Sequence, residues 1–217
     1  MTTWRMMAAR AWRARALAAL VAVAMSAACS SGPSAPVSQQ PYQARLQAAR
    51  KAKDDAFRAV DNPYSPVPAA QRASFPGVAY FPINESYRVP ASLTAIQSIP
   101  PIVISVPNSA HQLEQKVKVG SLRFTIGGVP YSLSAFAEDA GDVQRLWVPF
   151  RDLTSGTTTY GGGRYVDLER TATGVYDLDF NTAYQPNCVY DSSWVCPYPP
   201  NENRLPIAIE AGERLRQ

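Results

Sequence analysis

The chain has 217 residues, 46% of them hydrophobic, with 21 Lys/Arg, 17 Asp/Glu and a single histidine. Its formal charge of +4 belongs to the first 28 positions, which hold Arg5, Arg10, Arg13 and Arg15 and no acidic residue, so the remaining chain is neutral with 17 charges of each sign. That balance excludes a surface built to neutralise nucleic-acid phosphates, and one histidine with three cysteines leaves few ligands for a tetrahedral zinc site.

In chain order, the four arginines precede an apolar run from Ala16 to Met25 and small residues up to Cys29. This is the pattern of a bacterial export signal over residues 1–28, and its apolar run is too short to span a bilayer. The SAAC stretch ending at Cys29 resembles the lipobox of bacterial lipoproteins, with Ser26 where that pattern prefers leucine. The resemblance implies a lipidated Cys29, a palmitate-bearing anchor and attachment to the cell envelope. Ser30, rather than Asp, after that cysteine resembles the sorting pattern for the outer membrane in a cell with two membranes, which places the protein on its periplasmic face.

SSGPSAPVSQQ completes the segment 29–40 as a flexible tether with a reach of roughly 20 Å. Residues 41–217 read as one β-rich domain of a size that supports a substantial core. Its first element is an amphipathic helix over Tyr42 to Val60, with Leu46, Ala49, Ala56, Phe57 and Val60 near one face and Lys53 interrupting it. Asp61-Asn62-Pro63 stops it. From Gly77 onward, short runs rich in β-branched and aromatic residues alternate with Pro, Gly and Asn. Strands are expected at Val78 to Phe81, Tyr87 to Ile96, Ile102 to Val106, Gln115 to Val119, Leu122 to Ile126, Pro130 to Phe136, Arg145 to Arg151, Thr159 to Leu168 and Val175 to Asp179. Ile207 to Glu210 is a further candidate. Strands that follow one another without helices between them predict a mainly β fold, an antiparallel meander closed into a barrel or a sandwich, with one N-terminal α-helix.

LWVPFRDLTSGTTTYGGGRYVDL from Leu146, LDFNTAYQPNC from Leu178 and CPYPPNENRLPIAIEAGE from Cys196 resemble, in order and spacing, the bacterial family catalogued as domain of unknown function 1684. FPGVAYFPINESYRVPASL and ARKAKDDAFR extend the resemblance to roughly residues 45 to 213. The family carries no assigned activity, so the resemblance implies architecture and leaves function open.

Within FRDLTSGTTTYGGGRYVD, Arg151, Asp152, Tyr160, Arg164 and Asp167 are candidates to line a polar pocket, because guanidinium forks recognise carboxylate or phosphate. The alternative is a hairpin in which the same residues hold each other. Gly161 to Gly163 lack the Lys-Ser/Thr of a phosphate loop and mark a bulge or a bend where a strand changes direction instead. His111 sits in a connecting segment. Carboxylate chemistry would have to draw on Asp152, Asp167, Asp179, Glu202 or Glu210, and spacing alone pairs none of them.

The segment from Phe180 to Asn203 is the most unusual in composition, with Cys188 and Cys196, prolines at 186, 197, 199 and 200, and Tyr184, Tyr190, Trp194 and Tyr198. An even cysteine pair in an oxidising compartment favours a disulfide. It would close a nine-residue loop and stabilise the fold by about 2.5 kcal/mol. The segment would then be a stapled lid over one rim of the β core, with its asparagines serving the proline-flanked carbonyls. The competing readings are Cys188 as a reactive thiol and two buried structural thiols.

Three functions fit. One is a module binding a small or extended ligand under this lid, with Arg151, Asp152, Tyr160, Arg164, Asn181, Tyr184 and Asn203 as candidate ligand-binding residues. Another is a hydrolase using carboxylates or Cys188. A third is a structural envelope protein with a protein partner. No metal or cofactor and no nucleic acid is implied; the expected partners are the membrane, through the anchor, and an unidentified small molecule or envelope component.

Overall fold

The computed structural model describes residues 41–216, so the export leader, Cys29 and the tether lie outside the described residues. Helix α1 (Tyr42–Arg58) is followed by a short β1 (Ala79–Tyr80), then β2 (Arg88–Ala95), β3 (Ile102–Pro107), β4 (Leu113–Ile126), β5 (Val129–Ala137), β6 (Arg145–Phe150), β7 (Arg164–Glu169), β8 (Tyr176–Asp179) and β9 (Glu213–Arg214). The main sheet runs β7-β6-β5-β4-β2-β8, with β3 added to the outer half of β4. All its pairings are antiparallel. A bridge between Arg170 and Tyr176 joins the two end strands. The result is a nearly closed barrel, and of the two architectures that the strand pattern allows it is the barrel that forms.

Alternation along the strands fills the interior. Leu122, Phe124, Leu133, Ala135, Leu146, Val148, Phe150, Val166, Leu168 and Leu178 all point inward and are buried. Phe180 plugs the barrel against Phe124 and Phe150, with ring centroids 5.7 and 5.2 Å apart.

Two expected strands, Gln115 to Val119 and Leu122 to Ile126, are one 14-residue strand whose pairing with β5 shifts register between Lys118 and Gly120. A β-bulge stands where the two expected strands were separate. The expected strand at Thr159 begins only at Arg164. Residues 154–159 wind instead into a tight loop, where Thr154 carbonyl accepts from the backbone N–H groups of Thr157, Thr158 and Thr159. Ile207 to Glu210 is extended but forms no ladder, because Ile209 N–H donates to the Asp152 carboxylate. Gly127 and Gly128 form the expected hairpin turn between β4 and β5.

Helix α1 ends at Arg58, two residues before the expected stop, where Asn62 Nδ2 caps the Ala56 carbonyl at 2.8 Å and Arg72 takes the Ala59 and Val60 carbonyls. Its docking is polar as much as apolar. Leu46 is buried, but Val60 is 82% exposed. Lys53 reaches the buried Glu213 at 2.5 Å, Arg50 stacks 4.2 Å over Tyr80, and Asp54 accepts from Val78 N–H at 2.8 Å. The lysine that interrupts the apolar face is therefore part of the contact.

Candidate functional site

Arg164 lies on the inward face of β7 and is 1% exposed. Its guanidinium donates to the Asp152 carboxylate at 3.1 Å and to the carbonyls of Ile209, Ala211 and Glu213. Asp152, 3% exposed, also accepts from Thr154, Ser155 and Ile209 N–H. The pair is a clamp that holds residues 209–213 across the barrel end.

Asn203 is equally enclosed. Its amide spans Ser134 N–H at 2.7 Å, Ser134 carbonyl at 2.8 Å and Pro149 carbonyl at 2.7 Å. Asn181 makes a matching pair of bonds to the backbone of Asn84 at 2.9 Å each. Arg164, Asp152, Asn203 and Asn181, expected as ligand-binding residues, are buried and direct most of their polar groups into the fold, with Arg164 Nε left without a partner among the described residues. Arg151 places its guanidinium 5.4 Å over the Tyr198 ring, and Tyr160 meets Tyr198 and Cys188.

The glycines between them permit this crowding. A Cβ on Gly162 would stand 2.2 Å from the Tyr160 ring, and Gly163, at φ +100°, would place one 2.6 Å from Phe150 carbonyl. The run is a close approach of backbone to ring and carbonyl.

The one large groove described beside these residues lies on the outward faces of β4 to β7, opposite the segment 184–197, with a volume of about 1220 Å³. Its floor is a row of rings: Phe136 to Trp147 at 5.7 Å, Trp147 to Tyr165 at 5.0 Å and Tyr165 to Tyr184 at 5.6 Å between centroids. Trp194, Cys196 and Pro197 form the opposite wall. Register places the row: Trp147 faces Asp167 across β6 and β7, and Phe136 faces Trp147 across β5 and β6. Tyr184 donates its hydroxyl to Asp167 Oδ2 at 2.9 Å. Desolvation by the aromatic wall raises the Asp167 carboxyl above the usual range, against opposing pulls from the Tyr184 hydroxyl and Lys53. Of the seven residues expected to bind ligand, only Tyr184 lines this groove; Arg151, Tyr160 and Arg164 do not.

The lid is zippered at one end. Ser109 N–H donates to Cys196 carbonyl, Tyr198 N–H to Pro107 carbonyl, and Tyr165 hydroxyl to Pro197 carbonyl at 2.5 Å. Its aromatic residues do not cover one rim together: Tyr184 and Trp194 face the groove, while Tyr190 packs on Phe57 of α1 and donates to Glu213. Cys188 and Cys196 stand side by side as thiols, with Cys188 N–H donating to Cys196 Sγ at 3.2 Å. Burial, then the hydrogen bond with Cys188, pushes the Cys196 thiol up to about 12, so it is no thiolate at neutral pH.

Four of the five carboxylates open to acid/base chemistry have separate partners. Asp152 serves Arg164, Asp179 accepts from Tyr42 and Asn181, Glu202 pairs with Lys118, and Asp167 bonds Tyr184. His111 is exposed in the β3–β4 turn, with φ 60°. Among the described residues no three His, Cys, Asp or Glu side chains group to hold a metal ion.

The family model described as "Protein of unknown function (DUF1684)" matches residues 73–214. The chain belongs to this family. The DUF1684 match takes in all of the groove's lining residues and the Arg164–Asp152 clamp. The chain is also similar to the solution NMR structure of an uncharacterized protein from gene locus rrnAC0354 of Haloarcula marismortui, at 36% identity and a TM-score of 0.61, covering 80% of this chain and 94% of that one. No curated protein matches the chain.

Proposed function

We propose that this DUF1684 protein is a lipid-anchored binding module of the cell envelope, whose ligand lies in the aromatic groove between β6–β7 and the segment 184–197. The observation that carries the reading is a groove of about 1220 Å³ whose floor is a continuous row of rings edged by Asp167, Lys116 and Glu138. Aromatic walls with a few placed polar groups are the common make-up of small-ligand sites. The polar residues at the other end of β7 are consumed by the fold, which leaves this groove as the place where side chains still have unused capacity.

Anchoring rests on the leader and Cys29, and the compartment it implies favours a Cys188–Cys196 bridge, which the adjacency of the two thiols allows. The bridge would fix the wall that carries Trp194.

The test is a thermal-shift panel of neutral oligosaccharides, acidic oligosaccharides, polyamines and short peptides on the mature protein and on Trp147→Ala. At least one class should raise the melting temperature of the parent and not of the variant; a panel that moves neither sinks the reading. Cys29→Ala should end palmitate incorporation and release the protein from the membrane fraction.

A further inference from the structure

We infer that the ligand of the aromatic groove is a small organic cation, a molecule carrying ammonium groups on an apolar body; this rests on the groove being the binding site. The ring row already holds ammonium groups of the protein itself. Lys116 Nζ sits 5.4 Å from the Trp147 centroid, and Lys53 Nζ sits 5.1 Å from that of Tyr184. Both fall within the roughly 6 Å over which a ring quadrupole attracts a cation. The rings are thus electrostatically suited to positive charge at two separate points.

The charge around the groove has the complementary sign. Its lining carries Glu138, Asp142, Asp167 and Glu169 against Lys116 and Arg145. Lys116 is neutralised by Glu114 at 3.0 Å, whereas none of the four lining carboxylates forms an ion pair among the described residues. An anionic ligand would meet repulsion there. A neutral sugar would use the rings but would leave the excess negative charge uncompensated. An ammonium-bearing molecule satisfies rings and carboxylates together, and a cation beside Asp167 would also relieve the desolvation that raises its carboxyl.

The experiment is a tryptophan-fluorescence titration of the mature protein with spermidine, with choline and with cellotetraose as the neutral counterpart. It is repeated on Asp167→Asn, Glu138→Gln and Trp147→Phe, each checked for an unchanged circular-dichroism spectrum. Spermidine or choline should give a saturable change that weakens about tenfold on loss of one carboxylate and that falls with added salt. Affinity unchanged from the parent in both carboxylate variants would overturn the inference as non-specific surface binding. Saturation by cellotetraose and by neither cation would overturn the cation class while keeping the groove. No response from the parent to any probe would remove the inference, and the thermal-shift panel separately decides the groove.

Discussion

Arg164 and Asp167 stand three residues apart on β7 and face opposite sides of it. On the inner side, Arg164 has an ion pair and three carbonyl acceptors and almost no exposure. On the outer side, Asp167 has one hydroxyl partner and a carboxyl whose ionisation the surrounding rings oppose. The same short strand thus carries one charge enclosed by four partners within the fold and one with a single hydroxyl partner. Buried polar groups bonded within the fold specify a structure, whereas a perturbed carboxyl on the edge of a groove makes a candidate site.

The largest expected effect breaks the inner side. Arg164→Ala leaves Asp152 buried without its counter-ion and should cost about 3–5 kcal/mol, a large share of the stability of an ordinary domain; urea denaturation reads it. Asn203→Ala strands three buried backbone groups of Ser134 and Pro149. It should cost about 2–3 kcal/mol by the same measurement.

The lid comes next. Protein purified from an oxidising compartment should resist alkylation at Cys188 and Cys196, and reduction should lower its stability by about 2.5 kcal/mol. Two thiols alkylated without reductant would remove the bridge.

The smallest effect has the opposite sign. The folded-state pKa of Asp167 is raised, so its stabilising contribution is present below the unfolded pKa and is lost as pH rises through the folded one. Asp167→Asn should therefore raise the melting temperature slightly at neutral pH and leave it unchanged in acid below the usual carboxylate range. The groups facing this carboxylate, Tyr184 from the lid and Lys53 from α1, act against the shift, so the rise should grow in Lys53→Met.

The strand runs, the hairpin at Gly127-Gly128 and the helix were legible because each follows from local pattern: period two, paired glycines, strong helix formers ended by proline. The loop at residues 154–159 was not, because Thr157, Thr158 and Thr159 have high β-propensity and are overruled by one carbonyl, that of Thr154, which gathers their amides. Polar residues in LTSGTTTYGGGRYVD looked like a pocket because charge and density are visible in a sequence while burial is not. Trp147, Tyr165, Lys116 and Glu138 escaped notice as a group for a different reason. They come from different strands, and only the register of β4, β5, β6 and β7 brings them beside one another. Their signal was the outward alternation of Trp147 on β6 and of Tyr165 and Asp167 on β7, amphipathic residues where a solvated sheet face would carry plain polar ones.

Lys53 and Glu213, joined at 2.5 Å, are 160 positions apart, and Arg164 waits for carbonyls that arrive 45 to 49 residues later. In kinetic terms the closing contacts are the non-local ones, which places folding in the slow range typical of β barrels, on the order of milliseconds to seconds. A chain emerging from its N-terminus holds a helix with no Glu213 for Lys53, and a barrel strand whose arginine has Asp152 but not its three carbonyl acceptors, until residue 213 is free. Completion of the fold is thereby tied to release of the whole domain, and a partly emerged chain remains open to unfolding, to proteases and to any machinery that must thread it onward.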